Sequence, residues 1–522
     1  MNRSENREDK AMAIEWIREN METEQIIAAK PTQVTVEAEV VLPGGLREEA
    51  RVYYADATAA VNGGELAGSR ITADGRVYFR VLYAQGDLSN VQALETAADF
   101  SQALPLKEDC PQGAAARLQP QAQVQRVTAK AFNGRLLLQA ILALTAEASL
   151  PRTVSFIRDG SGEDGLVRSL QTLSLQRTVG EGETQNLLRE EFELSDVLKI
   201  KDTLFATAEA QVEDILGGED GRATVTGKIT IDACHTSAMP GRPLVYTRHT
   251  MPFEQQVALS GALGTALAAR AEVKDVAALS QETEGEGRIL RAEIQLATAL
   301  TAVEDGAQTI LRDVFTTQGD MLEAQTQRVS FRTGTVNETA AESGRAMIAL
   351  PEGSPRVKTP LLAFIRPVLT GAERQKEKLR AEGVLDVTLI YLTDEGEAPV
   401  SVRLEEPFRA AFITQAQPED ALTLTAAQVE PSAVTGDRVE LKYILRLQAS
   451  GVRKGEAEVV ADVAAAPAPE RKRGMVLYYL QPGEALWDLA KRYRVSLEDL
   501  NRLNPALPDS PAPGTPVLAF IR

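Results

Sequence analysis

Histidine and cysteine, two residue types that often perform acid–base or nucleophilic chemistry, are rare in this sequence. The only two histidines are His235 and His249, and His235 directly follows Cys234, which is one of two cysteines. A cysteine and a histidine act together only when their side chains are within hydrogen-bonding distance. Neighbouring side chains on an alternating strand point to opposite faces, so Cys234 and His235 cannot share a proton directly. We therefore expect structural roles for these residues, and no catalytic residue, cofactor or metal site.

Two short patterns suggest chemistry that their surroundings do not support. Gly160 to Gly165 matches the dinucleotide-binding pattern GxGxxG, which binds phosphate between a strand and a helix N-terminus. Residues 173–179 alternate like a strand instead, so we expect a loop between domains. Asn337 to Thr339 fits a glycosylation sequon, but the sequence shows no export signal and we expect another loop.

Trp487 could stack on a sugar ring or pack inside the protein, and both interpretations stay open. It lies in the last stretch, 475–522, where a strand-like run is followed by apolar residues at helical spacing, namely Leu486, Leu489 and Tyr493. We expect these three side chains to form a core and not a binding surface. Burying each should contribute roughly 1.5–3 kcal/mol.

The rest of this stretch predicts a second helix and a closing strand. Ser496, followed by Asp499, resembles a capping box, and Asn504-Pro505 ends the helix. Pro513-Gly514 then turns the chain into a strand over 517–521. The predicted order is strand, helix, helix, strand.

This pattern resembles a LysM domain, and the resemblance covers under a tenth of the chain. It implies binding of N-acetylglucosamine polymers, such as peptidoglycan, in a groove between the loop after the first strand and the loop before the last. The positions carried over to that groove are Gly483, Glu484, Ala485, Leu486, Trp487, Asn504, Pro505 and Leu507. The family usually carries Asp-Thr or Asp-Ser where this chain has Glu484-Ala485, which removes a hydroxyl. Glycan binding and protein docking therefore both stay open.

Composition limits the remaining possibilities. The chain has 522 residues with 44% hydrophobic content, enough for about three or four domains. Its net charge of −18 argues against nucleic acid or anionic lipid as the main partner. Two cysteines, Cys110 and Cys234, are too few for a disulfide framework and fit a reducing compartment. We expect neither a signal peptide nor a transmembrane segment, and a cytosolic location.

The N-terminal part reads as an exposed amphipathic helix from Asn6 to about Ala29, and we take 1–21 as an N-terminal helical segment. It could dock on a partner or pack on the first domain. Beyond Pro31, short alternating runs separated by turn residues predict strands.

Two landmarks recur along the β-rich part. A glycine that we interpret as a turn residue opens an alternating strand at Gly75, Gly227 and Gly383, with separations of 152 and 156 residues. A phenylalanine follows in each copy, at Phe100, Phe253 and Phe408. Because this period far exceeds that of solenoid repeats, we expect repeated whole domains.

The predicted fold class is mainly β, with three tandem β-rich repeat domains at 22–150, 152–303 and 304–460. An Ala/Pro-rich linker at 461–474 then leads to a small α/β domain at 475–522. Such a linker should hold that last domain away from the repeats.

This architecture resembles the SPOCS-repeat spore morphogenetic proteins of clostridia and their bacillar relatives. The resemblance implies a scaffold, made in the mother-cell cytoplasm, that binds the coat morphogenetic ATPase at the forespore surface. The alternative is a general peptidoglycan-binding, wall-associated protein with the repeats as spacers. An enzyme within the repeats ranks third, because no acid/base or nucleophile set clusters there.

Overall fold

The computed structural model describes residues 14–43, 50–107, 116–162, 165–218, 220–283, 287–394, 396, 398–468, 473–508 and 510–521. Over these residues the chain is mainly β, with antiparallel sheets and two short helices near the C-terminus. Cys110, Glu163 and Asp164 lie outside the described residues.

The strands are Glu15–Ala28 (β1), Thr32–Val41 (β2), Ala50–Ala67 (β3), Arg70–Gln85 (β4), Gln92–Pro105 (β5), Arg117–Phe132 (β6), Arg135–Ser161 (β7), Leu166–Leu194 (β8), Ile200–Gly217 (β9), Arg222–Met239 (β10), Arg242–Ala258 (β11), Ala266–Thr283 (β12), Gly287–Thr316 (β13), Met321–Ala349 (β14), Thr359–Gln375 (β15), Lys378–Leu392 (β16), Val400–Ile413 (β17), Ala421–Thr435 (β18), Arg438–Ala466 (β19), Gly474–Tyr479 (β20) and Pro516–Ile521 (β21). The helices are Leu486–Tyr493 (α1) and Leu497–Leu503 (α2), and Asp196–Leu198 forms one 3₁₀ turn.

Three sheets of three consecutive strands share one arrangement: β3-β4-β5, β9-β10-β11 and β15-β16-β17. In each, the glycine of the central strand pairs with the phenylalanine of the third strand: Gly75 with Phe100, Gly227 with Phe253 and Gly383 with Phe408. A methyl group on any of the three glycines would lie within 3.0 Å of that phenylalanine ring. The two landmarks of the sequence are thus one cross-strand contact, seen three times.

This contact corrects our interpretation of the three glycines. They lie inside the strands and do not open them, because a side chain there would collide with the ring and with a backbone carbonyl on the other neighbouring strand. Glycine in a strand interior often marks such a close approach.

Each of these sheets packs on a second sheet that contains a long strand. The second sheets place β7 between β6 and β2, β13 between β12 and β8, and β19 between β18 and β14. Three separate apolar clusters fill the spaces between the paired sheets, with alternate side chains of the strands directed inward. Leu138, Ile294 and Leu445 are representative buried residues of the long strands.

The long strands continue beyond these sandwiches as two-stranded ribbons. The far half of β7 pairs with β1, that of β13 with β8, and that of β19 with β14. The ribbons meet around a shared cluster that includes Phe156, Ile310 and Phe331. A further cluster joins the three sandwiches through residues such as Tyr53, Phe205 and Ile390.

The ribbons also correct two expectations about boundaries. The expected N-terminal helix is wrong from Glu15 onward, since β1 pairs with β7 along its whole length and buries Met21 and Thr23 on one face; residues 1–13 lie outside the described residues. The expected domain limits at 151 and 303 fall inside β7 and β13. Near these limits β7 passes from β6 to β1, and β13 extends beyond the end of β12 while it stays paired with β8, so neither strand is interrupted. No helix among the described residues is long and apolar enough to cross a membrane.

Replacing Gly227 by Ala should lower the free energy of unfolding by about 1–3 kcal/mol, because the new methyl group meets a fixed carbonyl and the Phe253 ring. Gly306→Ala is the matched control on β13, since nothing lies within 4 Å of the place that its methyl group would take. That change should alter stability by less than about 1 kcal/mol. Urea denaturation followed by circular dichroism measures both, and equal effects would contradict the paired Gly–Phe contact.

Candidate binding site in the C-terminal unit

The C-terminal unit comprises residues 474–521, in which β20 and β21 form a two-stranded antiparallel sheet covered by α1 and α2. Leu489 and Leu500 are buried between helices and sheet together with Val517. Leu486 and Tyr493 pack against the same cluster. The predicted order of elements and the core position of Leu489 are therefore observed.

The helix ends show how the local sequence sets the two helices. Ser496 accepts a hydrogen bond from the N–H of Asp499 at 3.0 Å, which is the capping contact expected for α2. At the start of α1, the Asp488 carboxylate accepts from the N–H of Ala485 at 2.8 Å, but the side chain of Ala485 has no oxygen that could accept from the N–H of Asp488 in return. Helix α1 thus has half of a capping box, and the first turn lacks the hydroxyl that a Ser or Thr would supply.

The first candidate loop is held by Glu484, which follows the turn glycine Gly483 at φ 85°. Its carboxylate accepts from the N–H of Gln481 at 3.0 Å and from the hydroxyl of Tyr478 at 2.8 Å. Arg492 forms an ion pair with it at 2.5 Å. These contacts lower the pKa of the Glu484 carboxyl below its usual value, and the hydrogen bond from the Gln481 N–H has the largest effect. The Glu484 carboxylate therefore stabilises the conformation of its own loop.

The second candidate loop is held by Asn504. Its side-chain amide donates to the carbonyls of Leu500 and Leu518, each at 2.7 Å, and its oxygen accepts from the N–H of Leu518 at 2.8 Å. Asn504 thus joins the end of α2 to β21. Pro505 is exposed beside it, and Leu507 is half-buried against the core cluster.

The two loops border one apolar cluster, since Leu486 and Leu507 both pack on it. Of the candidate groove positions, Gly483, Ala485 and Pro505 are exposed. The polar groups of Glu484 and Asn504 are directed to other parts of the unit. A ligand would therefore contact mainly the backbone and the apolar surface of the two loops. Asp, Glu or His pairs suited to acid–base catalysis are not part of either loop.

Trp487 faces away from these loops and contacts the β body. Its indole Nε1 donates to Asp313 at 2.7 Å, and its ring meets Phe315 edge-on at 5.1 Å between centroids. Lys491, one turn further along α1, forms an ion pair with the same Asp313 at 2.6 Å. The indole therefore packs against β13, and the sugar-stacking interpretation has no support from its position.

Arg494 completes this contact. It ends α1 in the left-handed conformation at φ 49°, where glycine is the usual residue. Its buried guanidinium donates to the carbonyls of Thr316, Gln318 and Gly319 at 2.7 to 2.8 Å. Because a residue with a Cβ costs roughly 1–2 kcal/mol in this conformation, the hydrogen bonds to the 316–320 turn offset a local strain.

The linker expectation is corrected by the same contacts. The first part of 461–474 is not a spacer, because β19 continues to Ala466 paired with β14. The unit then lies against the end of β13 and is not held away from the repeats. Sequence reasoning missed Asp313 and Arg494. The one available signal was that Trp487, Lys491 and Arg494 recur at i, i+4 and i+7, which places them on one face of the helix.

The middle sandwich contains both histidines and Cys234. Cys234 and His235 are buried, and His249 is half-buried. The Cys234 thiol lies in the cluster shared by the three sandwiches, where burial raises its pKa to about 12. His235 Nδ1 lies 3.0 Å from the Thr203 hydroxyl, and its Nε2 lies 2.8 Å from that of Thr247. His249 contacts the same Thr247 hydroxyl at 3.0 Å. Cys234 thus lacks the lowered pKa of a nucleophile, and the Thr247 hydroxyl bridges the two histidines.

The two short patterns also have plain structural settings. The segment from Gly160 to Gly165 connects the ends of β7 and β8, so a strand and not a helix follows it, and Gly165 accepts a hydrogen bond from the N–H of Thr317. Asn337 lies within β14 and not in the loop that we expected, and its amide donates to the Ala269 carbonyl.

Neither a protein-family model, nor a curated protein, nor a solved structure matches this chain.

Arg494→Gly should release the C-terminal unit from β13 while leaving α1 folded, because glycine suits the left-handed position but cannot bond the 316–320 turn. In a Trp16→Phe background, Trp487 is the single tryptophan. Its fluorescence should shift to longer wavelength as the indole leaves Asp313 and Phe315. Lys491→Ala, which removes only the exposed side of the contact, should shift it less. An unchanged spectrum for Arg494→Gly would contradict the docking role of Arg494.

The pH dependence of stability tests the buried state of His235. Burial, with the nearby His249, lowers its pKa in the folded protein to about 4, against about 6.5 when unfolded. Between these values only the unfolded state takes up a proton, so stability falls as pH falls, by about 3 kcal/mol in total. Denaturant titrations from pH 7 to 4 should show a smaller loss for His235→Gln than for the unchanged chain. Equal losses would show that His235 is not held neutral.

Proposed function

We propose that this protein is a non-enzymatic scaffold of spore envelope assembly, with SPOCS-like β repeats and a C-terminal LysM domain that makes one specific contact. The observation that carries the proposal is the threefold recurrence of one Gly–Phe pair in three similar sheets, followed by a strand, helix, helix, strand unit. Joined sandwiches with internal apolar clusters suit a protein whose role is to hold other molecules in place.

The specific contact is assigned to the two loops of the C-terminal unit, around Ala485 and Pro505. The unit lacks a hydroxyl at the start of α1, and its Trp487 is engaged on β13, so two features that would suit a sugar ring are missing. This favours a protein ligand, and the resemblance names the coat morphogenetic ATPase of the forespore surface. The chain would then act in the mother-cell cytoplasm and collect around the forespore.

A peptidoglycan-binding, wall-associated protein is the second candidate. It is supported by the two loops that border one cluster at the positions which the LysM resemblance assigns to an N-acetylglucosamine groove. The three sandwiches would act as spacers in that case.

Binding assays on the full chain separate the two candidates. Ala485→Arg should weaken capture of the ATPase at least about tenfold, because a long charged side chain then fills the loop surface at a position that provides no cap. Asn501→Arg makes the same charge change on the exposed side of α2 and should leave capture intact. Retention on peptidoglycan with no capture of the ATPase would favour the second candidate.

Localisation gives an independent test. A fluorescent fusion should form rings around the forespore during sporulation, and Ala485→Arg should make the signal diffuse. Uniform labelling of the vegetative wall would contradict the scaffold proposal.

A further inference from the structure

The outer face of the two-stranded sheet in the C-terminal unit has no charged side chain, and its one polar side-chain group is the hydroxyl of Tyr479. The pairs Met475–Phe520, Leu477–Leu518 and Tyr479–Pro516 lie side by side on it, while Val476, Val517 and Ala519 on the other strand faces point inward. In the intact chain, Met475 is 63% exposed, Leu477 57%, Tyr479 55% and Phe520 45%. We call these six residues the outer sheet face. It is neither the docking side of α1 nor either candidate loop.

An apolar face of this kind is unusual in a unit of under fifty residues. Isolated exposed hydrophobic side chains are normal, but a contiguous set without a charged member marks an interaction surface. The alternation of β20 would place polar side chains here if water were the only neighbour, as on β10, where Lys228, Thr230 and Asp232 alternate with the buried Ile229 and Ile231. On β20, Met475, Leu477 and Tyr479 occupy three successive outward positions and are all exposed, which indicates a partner.

Charge indicates which partner fits. Residues 475–522 contain five acidic and five basic side chains, so they are neutral, and the rest of the chain carries the whole net charge of −18. Two copies would repel each other through most of their surface, since like charges in contact are costly. At the outer sheet face they can meet without repulsion.

We infer that the outer sheet face binds the same face of a second copy of this chain. Such a contact is self-complementary and is related by a twofold axis, as in most homodimers. Docking of the unit by Arg494 presents the face from a fixed position, which lowers the entropy cost of association. Six side chains make a contact well below the standard size of about 800 Å² per partner, so the dimer should be weak, with a dissociation constant on the order of 10–100 µM.

Sedimentation velocity of the full chain, from about 1 to 200 µM, tests the inference, because this range spans the expected dissociation constant. The unchanged chain should pass from monomer to dimer, and Leu477→Asp should raise the dissociation constant at least about tenfold by placing charge at the centre of the contact. Met475→Asp serves as a second variant on the same face. Ile413→Asp is the matched control, since Ile413 is 74% exposed on β17 and lies outside the face.

Each outcome decides the matter. Loss of the dimer in Leu477→Asp and Met475→Asp, with retention in Ile413→Asp, supports the inference. A chain that stays monomeric throughout, or a dimer that survives both changes on the face, overturns it. A monomer that cosediments with phosphatidylglycerol vesicles only when Leu477 is intact would assign the face to lipid and also overturn it. The coat ATPase and peptidoglycan are absent from the assay, so its result is independent of the proposed function.

Discussion

Continuous pairing along three long strands is the constraint on which the rest of the structure depends. β7, β13 and β19 each lie between two partners in a sandwich and continue into a ribbon with a single partner, which is a new strand, β1, for β7 and the same strand as before for β13 and β19. Because one backbone serves both parts, a sandwich cannot turn relative to its ribbon without breaking ladder hydrogen bonds. The ribbons in turn pack on each other, so the three sandwiches form one body.

That body determines where the C-terminal unit lies. The turn between β13 and β14 is the end of one ribbon, and several of its carbonyl oxygens face the C-terminal unit. Arg494 donates to several of them, and Asp313 nearby receives both the indole of Trp487 and the ammonium of Lys491. The α1 helix therefore has two functional faces: one closes the core of its own unit, and the other attaches the unit to the body.

This attachment changes which surfaces of the unit remain for other molecules. The side of α1 that carries Trp487 is covered, whereas the loops around Ala485 and Pro505 and the outer sheet face stay exposed. Under the two proposals, the loops would contact a partner protein and the outer sheet face would contact a second copy. The two proposals are therefore compatible, although each stands on different residues.

The sequence by itself determined the mainly β class, the recurrence of the Gly and Phe landmarks, and the order and core of the C-terminal unit. These features follow from local patterns, namely alternation at period two, apolar spacing at i, i+3 and i+7, and capping residues such as Ser496. Only the tertiary structure decided that Gly227 pairs with Phe253, that residues 15–28 form a strand and not a helix, and that Trp487 and Arg494 dock on β13. Each of these depends on a partner far away in the chain, and local propensity carries no information about that partner.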